Sequence, residues 1–203
     1  MCVLLAIFSP NNSFLKPQNL INVVRQISVI GLLSVEVMLC IIALGIDLSL
    51  GSVLGFSAVV TASLVQQICW KEALYSGFKA PAFIAVLAGL TTGGPAGVVN
   101  GSLIAAFQIP PFIATLGMMT IAQGLAYIYS NSRPVSTLND DFLFIGGGNI
   151  LGVSVPIIVF GIVIVLAQIM LNLIRFGRHY AIGGNETAAD VFGVNLGRAK
   201  VLI

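Results

Sequence analysis

Residues Ala80–Ser132 read APAFIAVLAGLTTGGPAGVVNGSLIAAFQIPPFIATLGMMTIAQGLAYIYSNS and contain no Asp, Glu, Lys, Arg or His. A membrane-crossing helix needs about 20 predominantly apolar residues, so this stretch holds more than one crossing. Pro110-Pro111 divides it, because neither nitrogen can donate a hydrogen bond and each ring restricts the residue before it. Two spans follow, Ala82–Val99 and Phe112–Ser130. Lipid gives the backbone no water to bond with, so such spans must satisfy their own N–H and C=O groups as helices. A membrane β-barrel would show short segments of alternating polarity, and this sequence does not. The expected fold class is all-α.

Working outward, Ile27–Ile46 is apolar except for Glu36, and Val53–Trp70 follows a short Gly/Ser-rich break. Val155–Ile174 is stopped by Arg175 and Arg178. The opening run Cys2–Phe8 has no basic residue before it, which argues against a signal peptide. It is far too short to cross by itself and reads as the tail of a span. The expectation is a polytopic helical protein with about five full spans and a partial amino-terminal one.

Composition agrees. Of 203 residues, 58% are hydrophobic and 8% charged, whereas soluble domains carry about 25% charged residues. Mean hydropathy is +1.05. A net charge of +2 without clustered Lys and Arg excludes a nucleic-acid partner. Cys2, Cys40 and Cys69 are isolated and His179 is the only histidine, so neither a metal site nor a disulfide framework is expected. The chain has no GxxxxGK[ST] loop, no HExxH and no Ser/His/Asp or paired-carboxylate constellation. The expectation is a protein without catalytic residues or cofactor.

Several positions stand out. Gly93, Gly97 and Gly101 make two GxxxG steps, and Gly51 with Gly55 makes another. Small residues at this spacing let helices approach closely. Gly93-Gly94-Pro95 can also kink its helix. Asp47, in Gly45-Ile-Asp-Leu-Ser-Leu-Gly51, lies between two apolar segments. A carboxylate there caps the following helix and shapes the loop, or meets substrate, and capping is the favoured reading. Glu36 in mid-span costs about 2.5–3.5 kcal/mol unless paired or facing a cavity. Asp47, Ser49, Gly51, Gly93, Gly97, Asn100 and Gly101 are therefore the candidate helix-packing or pathway positions.

The carboxy-terminal stretch differs in kind. In Ala181-Ile-Gly-Gly-Asn-Glu-Thr-Ala-Ala-Asp-Val-Phe-Gly193, Asn185 suits an N-cap and Gly193 a left-handed stop. The helix of about two turns between them presents Ala188, Val191 and Phe192 on one face. A helix this short gains stability by docking on another surface. Basic residues do not settle orientation: Arg175, Arg178, Arg198 and Lys200 stand on one side and Lys16, Arg25, Lys71, Lys79 and Arg133 on the other.

Three blocks give the chain a family resemblance. They are Gly45-Ile-Asp-Leu-Ser-Leu-Gly-Ser52; Val99-Asn-Gly-Ser-Leu-Ile-Ala105 with Ile109–Met118, Gly124–Ser130 and Arg133-Pro-Val135; and Phe176-Gly-Arg178 with Ala181–Glu186 and Gly193-Val-Asn195. On these residues the chain resembles the permease subunits of bacterial carbohydrate-importing ABC transporters, the group of the ribose, xylose and galactose permeases. The resemblance implies a single transmembrane permease domain over residues 1–203, non-catalytic and embedded in the inner membrane. It further implies a homodimeric pore with a second permease chain, a cytoplasmic ABC ATPase and a periplasmic sugar-binding protein. Residues 175–203 would then be cytoplasmic, with Gly184, Asn185, Glu186, Ala188, Ala189, Val191, Phe192 and Gly193 forming the segment that couples to the ATPase.

The chain also departs from that pattern. Glu36 stands where a small residue is expected, Pro95 interrupts a glycine stripe, and Gln123 and Ser132 replace the more usual Arg and Gly. Relatives of this kind continue with more spans, so truncation at both ends is expected. The alternative readings are an ion-coupled secondary carrier using Asp47 and Glu36, and a non-transporting membrane remnant or scaffold.

Overall fold

The computed structural model describes residues 16–42, 45–67, 74, 80–150 and 152–172. Its elements are α1 (Pro17–Ile42), α2 (Leu50–Leu64), α3 (Ala82–Phe107), α4 (Pro111–Ser130), α5 (Asp140–Gly147), β1 (Asn149–Ile150), β2 (Val153–Ser154) and α6 (Val155–Asn172). Helices α1, α3, α4 and α6 are long and apolar enough to cross a membrane, and α2 is a shorter apolar helix. The protein is an all-α, multi-pass membrane protein, as its composition predicts. The amino-terminal stub and the carboxy-terminal docking helix lie outside the described residues.

Local chemistry explains the boundaries. Helix α3 stops at Phe107 because Gln108 turns left-handed, at φ 52° and ψ 32°. Pro111 then opens α4 at a position whose N–H would be unused in any helix. Pro95 lies inside α3, which continues as one helix of 26 residues past it. Helix α4 ends on two left-handed residues, Asn131 at φ 51° and Ser132 at φ 56°. Helix α1 starts ten residues before the expected Ile27, with Lys16 O accepting from Asn19 N and Leu20 N at 2.9 and 3.1 Å. Arg25 falls within that first part of the helix, where a long cationic side chain can reach the interface.

The second span is shorter than expected. It begins at Leu50 and ends at Leu64 rather than running to Trp70, because Val65–Gln67 leaves the helix for an extended pairing. Gln67 N donates to Thr137 O and Asn139 N to Val65 O, both at 2.9 Å. Gln66 Nε2 donates to Ser136 O at 3.0 Å, and Gln66 Oε1 accepts from Leu74 N at 3.0 Å. This knot fixes the segment that leads from α4 to α5. Helix α5 follows it with a side-chain cap, Phe142 N donating to Asn139 Oδ1 at 2.9 Å, and with Asp140 and Asp141 in its first turn. The hairpin β1–β2 is antiparallel, pairing Asn149 with Ser154 and Ile150 with Val153, and turns at Gly152 with φ 83°.

Packing gives two groups of helices. Helix α2 packs against α3 and α4, which also touch each other, while α1 packs against α6. Apart from Val65 and Met118, what is buried among the described residues is small or polar, as with Ala85, Ala114 and Ala122 beside Ser49, Ser63, Asn100 and Thr115. What is exposed is large and apolar, with Phe83 and Phe107 each 71% exposed and Ile128 75%. That inversion suits lipid, which drives no apolar burial and leaves association to close packing and interhelical hydrogen bonds.

Candidate functional site

Helix α2 is the hub of the larger group, and its polar side chains set its neighbours. Ser49 meets Asn100 of α3 and Ser57 meets Thr92 of α3 at 3.1 Å, while Ser63 meets the Tyr129 hydroxyl of α4 at 2.8 Å. The two α3 contacts run down α3 as α2 ascends, and α4 meets the start of α2 through Thr115 and its end through Tyr129, so α3 is antiparallel to α2 and α4 is parallel to it. The Phe56 ring stands edge-on to Tyr129, with centroids 6.4 Å apart.

The site lies where α2 begins. Residues Gly45–Ser49 are non-helical, and two neighbouring helices hold them. Thr115 Oγ1 of α4 accepts from Leu48 N at 3.3 Å and lies 3.2 Å from the Ile46 carbonyl, so one hydroxyl clasps both sides of Asp47. The same hydroxyl lies 3.3 Å from its own helix's Phe112 carbonyl. Thr115 stands one turn inside α4, about 6 Å from its end, in a helix whose 20 residues span about 30 Å and just match the hydrocarbon core. Irregular backbone at that depth is tolerated only when protein buries it or it lines a cavity.

Asp47 Oδ1 accepts from both Ser49 N and Ser49 Oγ at 2.7 Å. Ser49 is the N-cap of α2 and makes no capping bond with its own side chain. The carboxylate thus holds the residue at the helix start rather than the N–H groups of the first turn. Ser49 is 2% exposed and also accepts from Asn100 Nδ2 at 3.2 Å. Three candidates read from the sequence, Asp47, Ser49 and Asn100, therefore form one hydrogen-bonded chain.

The glycines divide differently. A side chain at Gly93 would meet Ser57 Oγ at 3.3 Å, so α3 approaches α2 closely there. Gly51, Gly55 and Gly97 meet nothing within 4 Å. Gly101 is buried in α3. The sequence reading missed Gly89, where a Cβ would come within 2.5 Å of Thr61 Oγ1, although it extends the same four-residue spacing. It missed Thr115 too, which carries no local signal beyond its place after Pro110-Pro111. Glu36 is exposed on α1. Among the described residues there is no group of three or more His, Cys, Asp or Glu able to hold a metal. The coupling candidates Gly184–Gly193 lie outside the described residues.

Comparison with known proteins gives one family. A family model described as the permease component of a branched-chain amino acid transport system matches residues 19–203. The chain is 38% identical over 211 residues to the ribose import permease protein of Escherichia coli (strain K12), covering 100% of this chain and 62% of that protein. It is 35% identical to the ribose import permease protein of Bacillus subtilis (strain 168), covering 100% of this chain and 60% of that one. It is also 35% identical to the L-arabinose ABC transporter permease protein of Azospirillum brasilense, covering 94% and 53%. The chain thus spans little more than half the length of these relatives. No solved structure matches it.

Proposed function

The chain belongs to the family of branched-chain amino acid transport system permease components, and from that premise we propose that it is the membrane subunit of an ABC importer for a monosaccharide. The observation that carries this reading is the likeness over essentially the whole chain to permeases whose names specify ribose and L-arabinose. Sugars are therefore preferred to amino acids as the class of substrate. Four apolar helices long enough to cross a bilayer fit such a multi-pass inner-membrane subunit.

In this reading a second permease chain completes the pore, a cytoplasmic ATPase supplies the energy and a periplasmic protein delivers the sugar. ATP-driven closure of the ATPase pair would press on residues 184–193, and the attached spans would move between outward- and inward-facing states. A shift of this kind requires contacts that differ between the two states. The α2–α3–α4 group, packed together and joined by side-chain hydrogen bonds, offers a connected path for such a push.

The test is reconstitution of the full-length protein in proteoliposomes with an ATPase and a sugar-binding protein of the same transporter family. ATP-dependent uptake of ribose or another pentose or hexose, with no uptake of leucine or valine, is the expected result. Uptake driven by a sodium or proton gradient without the ATPase would overturn it in favour of an ion-coupled carrier.

A further inference from the structure

We propose that Asn100, with Ser49 and Asp47, forms a hydroxyl-binding station in which Asn100 Oδ1 accepts a hydrogen bond from the polyol being transported. This rests on the sugar-importer reading above. The direction of the hydrogen-bond chain is set by chemistry. A carboxylate can only accept, so the Ser49 hydroxyl gives its one proton to Asp47, 2.7 Å away. Ser49 Oγ must then accept from Asn100, which places the amide nitrogen toward Ser49 and the amide oxygen away from it.

Three buried side-chain atoms among the described residues have no partner, Asn100 Oδ1, Asn139 Nδ2 and Ser154 Oγ, and only the first lies at the break before α2. Asn100 is 6% exposed, and its Oδ1 is buried without a hydrogen-bond partner among the described residues. Buried acceptors are almost always satisfied, and one left open is costly. The orphan belongs to the side chain that joins α3 to the break before α2. Irregular backbone at membrane depth is tolerated where protein buries it or where it lines a cavity, and in secondary carriers such breaks hold the solute. Asp47, only half-buried, supplies a second acceptor within the same chain of bonds.

The unmet need is for a hydrogen-bond donor, and an uncharged polyol presents several O–H groups. An amide oxygen two bonds from an anchored amide nitrogen is positionally fixed, so it can select for a hydroxyl at one ring position. A site built in this way penalises an analogue lacking that hydroxyl, because the acceptor stays unpaired.

The experiment compares uptake of ribose with its mono-deoxy analogues by the reconstituted transporter, in wild type and Asn100→Leu, with the same binding protein throughout. Selectivity of the binding protein then cancels in the ratio between variants. Wild type is expected to discriminate against one analogue by about three- to tenfold more than Asn100→Leu does, the worth of one hydrogen bond. The other analogues should keep their ratios. Asn100→Ser keeps a hydroxyl donor for Ser49 without the carbonyl, and serves if the Leu variant does not assemble. Unchanged ratios at every ring position, or a uniform loss with all sugars, would assign Asn100 to packing alone and overturn the proposal. Absence of ATP-driven uptake of any sugar by wild type would instead refute the importer reading itself.

Discussion

The ring of Phe160 in α6 lies against the Cα of Gly31 in α1, in the space that a methyl group on Gly31 would occupy. This is the close approach that joins α1 to α6. In lipid such a pair is held by contact rather than by apolar burial, so the fit of ring to glycine matters more than hydrophobicity. Gly31→Ala is expected to destabilise the protein by about 1–3 kcal/mol, the usual cost of overpacking. Phe160→Leu should recover part of that loss in the double variant. Thermal unfolding in detergent of the two single variants and the double reads this out; strictly additive effects would show that the two residues do not compete for space.

Thr115 is the second test, because its hydroxyl holds both Leu48 N and the Ile46 carbonyl around Asp47. Thr115→Val keeps shape and volume but leaves the Leu48 N–H without that acceptor, at a cost of about 1–3 kcal/mol. Thr115→Ser keeps the hydroxyl and should lie closer to wild type. A Val variant as stable as wild type would mean that the Gly45–Ser49 segment does not depend on this clasp.

Ser132 gives a prediction of opposite sign. Its φ of 56° places a side-chain-bearing residue in the left-handed region, which costs about 1–2 kcal/mol for an L-residue. Glycine removes that cost and adds about 0.5–1 kcal/mol of unfolded-state entropy to be lost on folding. Ser132→Gly is thus expected to stabilise the protein by up to about 1 kcal/mol, while Ser132→Ala, which retains the strain, should not. A melting temperature lowered by glycine would contradict this.

Glycine is also the residue that the family pattern led us to expect at position 132, and the backbone supplies the reason. Other features were legible in the same direct way. The uncharged stretch Ala80–Ser132 marks α3 and α4, and Pro110-Pro111 marks their boundary, because those signals are local. The end of α2 was not legible, since Val65–Gln67 is taken out of the helix by pairing with residues about 70 positions later. Asn139-Asp-Asp141 carries a helix-start signature for α5, a short signal beside much longer apolar runs. In the site, Asp47 and Ser49 were visible as a loop between spans, but which atom bonds which depends on Asn100 and Thr115. Their identities say nothing of that contact until α3 and α4 are packed on α2.

Phe192 tests the proposed coupling segment. At i, i+3, i+4 spacing, Ala188, Val191 and Phe192 would share one face of the short helix expected from the sequence, which would need a partner surface to be stable. If that face docks on an ATPase, Phe192→Asp removes the largest apolar contact and places a charge in the interface. Burying a Phe side chain is worth about 1.5–3 kcal/mol, so the coupling between hydrolysis and uptake should fall by about tenfold or more. The informative quantity is sugar imported per ATP hydrolysed, measured in proteoliposomes beside membrane levels of the variant. Phe192→Leu keeps an apolar contact and is expected to retain most of the wild-type ratio. An unchanged ratio in Phe192→Asp would remove this face from the ATPase contact, whereas loss of ATPase co-purification would place it at the centre of the interface.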